Sequence, residues 1–94
     1  MESSKKRVLI TGVTGYLGSH VCKVFLENGL FHVRGSVRDL SDKDKLGRLK
    51  TGLGEELFSN LELVELELLN EEQIDNAVDG CSFVVHVASP CPMK

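Results

Sequence analysis

Basic residues are not in excess in this chain: 11 Lys and Arg stand against 14 Asp and Glu, a formal net charge of −3. A nucleic-acid binder is normally basic, so that class is disfavoured. Cysteine occurs only as Cys22, Cys81 and Cys91, an odd number without metal-like spacing, which fits reduced cytoplasmic thiols and neither a disulfide framework nor a metal site. No stretch approaches the roughly 18 apolar residues of a membrane span. The polar "MESSKKR" precedes only about four apolar residues, too few for a signal-peptide core. Repeats, low-complexity tracts and linkers are missing too, so the 94 residues make one domain at most. With 41% hydrophobic and 27% charged residues, the composition is that of a globular protein and not of a disordered one.

What is there alternates. "RVLIT" at 7–11 is a short aliphatic run, a strand buried on both faces. Gly12 to Gly15 makes a turn, and from Tyr16 to Glu27 the apolar residues Leu17, Val21, Val24 and Phe25 form one helical face. Asn28-Gly29 is a left-handed stop. "FHVRGSVRD" reads as a second strand, with Phe31, Val33, Gly35 and Val37 on one side and His32, Arg34, Ser36 and Arg38 on the other. Ser41 is the expected cap of a short helix carrying Leu46 and Leu49, ended by "KTGLG". "LELVELEL" at 61–68 is a third strand, with Leu61, Leu63, Leu66, Leu68 and neighbouring Leu69 as core candidates. Asn70 and Gln73 have the form of a capping box opening a helix with Ile74, Ala77 and Val78, stopped by Gly80. "CSFVVHVA" is a fourth strand, and the two prolines of "SPCPMK" discourage regular structure after it. Strand–helix alternation with short connections implies an α/β fold with a parallel sheet and right-handed crossovers.

"TGVTGYLGSH" places Gly12, Gly15 and Gly18 between the first strand and the first helix. A strand running into a tight turn and a helix exposes unpaired amides and the positive end of the helix dipole, which attract phosphate. Gly12 allows the turn, Gly15 lets a pyrophosphate approach the amides, and Gly18 lets the helix pack closely on the strand. Beyond the second strand, Arg38 and Asp39 both stand where an adenosine ribose would be contacted, an acid suiting NAD and an arginine NADP. The local cluster Arg34, Arg38, Lys43 and Lys45 in an acidic protein favours a phosphate, with Arg34 and Lys43 better read as solvated surface charges.

"VLITGVTGYLGSHVCKVFLENG", "VRGSVRD" and "AVDGCSFVVHVASP", in this order from Arg7 to Pro90, resemble the extended short-chain dehydrogenase/reductases. The resemblance is closest to the plant-type dihydroflavonol reductase, cinnamoyl-CoA reductase and ketoreductase branch. It implies a Rossmann-type sheet in the order 3-2-1-4, here its first four strands, with residues 1–94 as the N-terminal part of one dinucleotide-binding domain and no second domain. It also implies hydride transfer from NADP(H), favoured over NAD(H), to a small-molecule carbonyl. Carried over residue by residue, the cofactor contacts are Gly12, Thr14, Gly15, Tyr16, Leu17 and Gly18 in the loop, and Arg38 and Lys45 on the 2′-phosphate. Glu67-Leu68 stands where the family has Asp-Leu beside the adenine, and Val87, Ala88 and Ser89 lie along the central riboses. His86 is expected to be a packed, hydrogen-bonded core residue, Cys22 and Cys81 small packing residues, and Cys91 exposed in the tail.

The family's reaction needs a Ser or Thr and a Tyr-x-x-x-Lys pair. The one tyrosine here, Tyr16, is followed four places on by His20, so no catalytic residue is expected in the chain, which reads as the amino-terminal part of a larger reductase. The apolar edge of the fourth strand is an expected site of self-association. Three other functions stay open: a non-catalytic NADP(H)-binding module, part of a nucleotide-sugar epimerase or dehydratase, and part of a hydroxysteroid dehydrogenase.

Overall fold

A computed structural model describes residues 5–67 and 69–87; Leu68, Ala88, Ser89 and Cys91 lie outside them. The order is β1 (Lys6–Ile10), α1 (Tyr16–Asn28), β2 (Phe31–Val37), α2 (Lys43–Leu53), α3 (Glu55–Ser59), β3 (Leu61–Glu65), α4 (Glu71–Val78) and β4 (Phe83–Val85). The strands pair in parallel as β3-β2-β1-β4, the order expected. Right-handed crossovers leading from β1 to β2 to β3 put α1, α2 and α3 on one face, and the reversal towards β4 puts α4 on the other. The buried clusters follow this division. Val8, Ile10, Val13, Cys22, Val33, Val37, Leu49 and Leu53 form the first, and Leu9, Leu66 and Ala77 the second. Central β1 serves both, with Val8, Leu9 and Ile10 at most 1% exposed, each burial stabilising by about 1.5–3 kcal/mol.

Helix ends follow local chemistry. Gly29, at φ 76°, closes α1 with its amide on the Phe25 carbonyl, the left-handed stop expected. Asn70 caps α4 by accepting from the Gln73 amide at 3.0 Å. The reciprocal half of the box is diverted, because Gln73 Oε1 accepts from the Glu67 amide at 2.7 Å. The cap of α2 is Asp42, accepting from the Lys45 amide at 3.2 Å, and not Ser41. Ser41 is drawn back into a turn by Asp39, whose Oδ1 accepts from its amide at 2.9 Å and its hydroxyl at 2.6 Å. The short α3 beyond Gly54 was not anticipated.

Other departures concern faces. The packed side of α1 is Gly18, Val21, Cys22, Phe25 and Leu26, while Leu17 and Val24 are 52% and 53% exposed. Leu69 is 91% exposed and so is no core residue. β3 stops at Glu65 and β4 spans only Phe83–Val85; at their carboxyl ends they stop opposite Val37 and Ile10, where β2 and β1 themselves end. Arg34, expected in solvent, is buried. Its Nη1 donates at 2.7 Å to the carbonyls of both Ala77 and Asp79, satisfying acceptors left open at the end of α4. Glu62 Oε1 lies 3.2 Å from Arg34 Nε and 3.4 Å from Arg7 Nε.

Candidate functional site

Parallel pairing carries the carboxyl ends of all four strands to one rim, and the sequence-identified stretches gather there. The segment from Thr11 to Gly18 follows β1, Arg38 follows β2, Glu67 follows β3, and His86 and Val87 follow β4. Neighbouring strands hold the glycine turn in place. The Gly12 amide donates to Ser36 Oγ at 3.2 Å, and the Val13 amide to the Ser36 carbonyl at 3.1 Å. On the other side Thr11 Oγ1 accepts from the Val87 amide at 3.0 Å and lies 3.1 Å from His86 Nδ1. His86 is thus hydrogen-bonded as expected but exposed, since it follows the end of a short outer strand.

Val13 is fully buried against Gly35, where a Cβ would come within 2.8 and 2.9 Å of the valine methyls. Sequence reasoning singled out neither Ser36 nor Gly35 as parts of the turn. Two adjacent small residues inside β2 were the available signal, since glycine in a strand often marks close approach of another segment.

The glycines of the turn have separate causes. Gly12 has φ +67°, a left-handed conformation that side chains disfavour. Gly18 is buried, and a Cβ there would collide with the carbonyl oxygen of Gly12 and lie 2.8 Å from its carbon. It therefore packs the helix on the turn, and not on the strand as expected. Gly15 is different: at φ −78° it is extended, and an added Cβ would meet only Gly12 O at 3.5 Å, an ordinary contact. Folding alone does not require glycine at position 15.

Beyond Gly15 the first turn of α1 carries no acidic residue and no capping side chain. By contrast, Asp42 and Asn70 cap α2 and α4, whose first turns hold Asp44 and the pair Glu71 and Glu72. Among the described residues, the orphan amides and positive pole of α1 have no capping side chain. Tyr16 (94% exposed) and Leu17 stand out into solvent around them, with Thr14 half-buried in the turn. A groove of about 270 Å³ between α1 and α2 is lined by Thr14, Tyr16, Ser19, His20, Lys23, Arg48, Leu49, Gly52 and Leu53.

At the far side of the rim, Arg38 is exposed and its Nε lies 3.7 Å from Glu67 Oε1. Lys45 is exposed in the first turn of α2. Asp39, the alternative ribose ligand, is engaged by Ser41, whose hydroxyl and then amide hold its carboxyl below the usual aspartate range. Cys22 is buried, and desolvation pushes its thiol up to about 11. Among the described residues no group of three or more His, Cys, Asp or Glu is placed to hold a metal ion. No helix among them is long and apolar enough to cross a membrane.

The model of the NAD dependent epimerase/dehydratase family matches residues 8–92. Tetraketide alpha-pyrone reductase 1 of Arabidopsis thaliana is 39% identical over 90 residues, which are 96% of this chain and 27% of that protein. Dihydroflavonol 4-reductase of the same plant is 37% identical over 90 residues, 96% of this chain and 23% of that protein. The chain thus spans about a quarter of the length of these relatives. Among solved structures, UDP-glucuronic acid 4-epimerase from Bacillus cereus, in complex with UDP-glucuronic acid and NAD, superposes with a TM-score of 0.68 at 27% identity. That match covers 92% of this chain and 27% of the epimerase.

Proposed function

The chain belongs to the NAD dependent epimerase/dehydratase family, and on that premise we propose that it binds a nicotinamide–adenine dinucleotide, NADP(H) in preference to NAD(H). In this reading it is the cofactor-binding part of a cytoplasmic oxidoreductase acting on a carbonyl of the dihydroflavonol or related type. The observation that carries the reading is the first turn of α1. Its amides lack a capping side chain and an acidic neighbour, and the glycine before them is one the fold itself does not demand.

The residues present fit the cofactor. The amides of Tyr16, Leu17 and Gly18 are donors for a diphosphate at a helix N-terminus, and a side-chain-free Gly15 keeps the approach to them open. Arg38 and Lys45 are exposed cations for a 2′-phosphate, and engagement of Asp39 by Ser41 favours them over an acid-bound 2′-hydroxyl. Glu67 stands on the adenine side, with Leu68 next to it in sequence, and Val87, followed in sequence by Ala88 and Ser89, on the side of the central riboses. When bound, the nicotinamide supplies a hydride donor or acceptor. This chain's part is to hold and orient it, since Tyr16 has no lysine four residues on and opens α1 beside the glycine turn. Kinship with reductases favours reduction of a carbonyl over sugar epimerisation.

Calorimetric titration with NADPH and NADH tests the reading. Tighter binding of NADPH is expected, with most of that preference lost in Arg38→Ala. Equal affinity for both, unchanged by the substitution, rules out the 2′-phosphate assignment, and binding of neither rules out the cofactor role.

A further inference from the structure

Building on the NADP(H) reading, we infer that Glu67 is an internal competitor for the ribose 2′-phosphate. Its carboxylate holds Arg38 in the nucleotide-free protein and has to release it, so Glu67 sets how strongly the site separates phosphorylated from unphosphorylated adenosine.

The backbone fixes this encounter. Val37 pairs with Glu65 across β2 and β3, and just beyond that pair the Leu66 amide donates to the Val37 carbonyl at 2.8 Å. Arg38 and Glu67 are the next residues along the chain, just past the ends of β2 and β3. The Glu67 amide is itself held by Gln73 Oε1 at 2.7 Å. A second tie runs alongside, in which Glu65 Oε2 accepts from the Leu40 amide at 2.9 Å. The loop after β2 is therefore fastened to the end of β3 at two points, one of which occupies the guanidinium.

A guanidinium fork serves a carboxylate or a phosphate equally well in shape. A phosphate monoester offers more charge and three acceptor oxygens, so it displaces Glu67 at the cost of that ion pair. Side-chain reach is decisive: an aspartate at 67 would be shorter by one C–C bond, about 1.5 Å, and a contact already at 3.7 Å would be lost. Exposed ion pairs are weak, so the predicted restraint is mild, about two- to fivefold in affinity.

Calorimetric titration with adenosine 2′,5′-bisphosphate, and with AMP as the probe lacking the 2′-phosphate, tests this directly. Glu67→Gln and Glu67→Asp are each expected to raise the ratio of bisphosphate to AMP affinity about two- to fivefold, AMP cancelling any change at the adenine, with the gain abolished in an Arg38→Ala background. An unchanged or lower ratio in the two single variants overturns the inference. So does a gain with Gln but not Asp, or one that persists without Arg38, because either reports like-charge repulsion and no competition. If the unsubstituted protein binds both probes equally and ignores Arg38→Ala, the NADP(H) reading itself fails, and this inference with it.

Discussion

The carbonyl oxygen of Gly12 fills the space that a side chain at Gly18 would need. The turn and the helix it feeds are locked together by that contact, so the phosphate-facing amides inherit their position from a packing constraint. Gly18→Ala is expected to destabilise the fold by about 2–4 kcal/mol, since the obstructing atoms are backbone and have little room to yield. Gly47→Ala is the control: nothing lies within 4 Å of its Cβ position in α2, and alanine there is expected to stabilise by about 0.5–1 kcal/mol. Urea midpoints of the two variants should move in opposite directions.

Gly15→Asp separates stability from binding. An aspartate at this N-cap position supplies the missing side-chain acceptor and a favourable charge for α1, worth about 0.5–1 kcal/mol. The same carboxylate occupies the amides and repels a diphosphate. A higher Tm together with at least a tenfold loss of NADPH affinity is the expected pair of results. A rise in Tm with unchanged affinity would show that the diphosphate does not use these amides.

Arg34→Met removes the donor that closes the carboxyl end of α4. Two charged hydrogen bonds disappear, leaving the Ala77 carbonyl with only the weak Cys81 thiol donor and removing the arginine from the Asp79 carbonyl, for an expected loss of about 2–3 kcal/mol. Glu62→Gln should cost under about 1 kcal/mol, because that carboxylate is half-exposed. Chemical denaturation distinguishes the two, and faster amide exchange at the end of α4 in the arginine variant would locate the damage.

Cys22 gives a signed pH dependence. Burial raises its thiol from 9.0 to about 11, so the unfolded chain loses this proton first. Stability is unaffected by this group below about pH 9 and falls as pH rises towards 11, where the native thiol ionises. At pH 8 the half-exposed Cys81 should react with iodoacetamide while Cys22 stays unmodified until the protein unfolds. Equal labelling of both in the native state would contradict the burial of Cys22.

Much of the architecture was legible in the sequence because short-range physics sets it. Short apolar runs and alternation located the strands, Gly29 and Asn70 marked helix ends, and the spacing of Gly12, Gly15 and Gly18 placed the turn and its amides. Even the error at Ser41 was of one residue: Asp42 caps α2 while Asp39 takes the Ser41 amide and hydroxyl. Periodicity defines which residues share a face, but not what that face meets. Leu17, Val24 and Leu69 were therefore misplaced, and Arg34 was read as a solvated charge although its acceptors lie on α4, 43 residues away in the chain for Ala77. The same holds at the rim. Ser36 holding Gly12, Gly35 yielding to Val13, and Glu67 reaching Arg38 each join segments that only the parallel sheet makes neighbours.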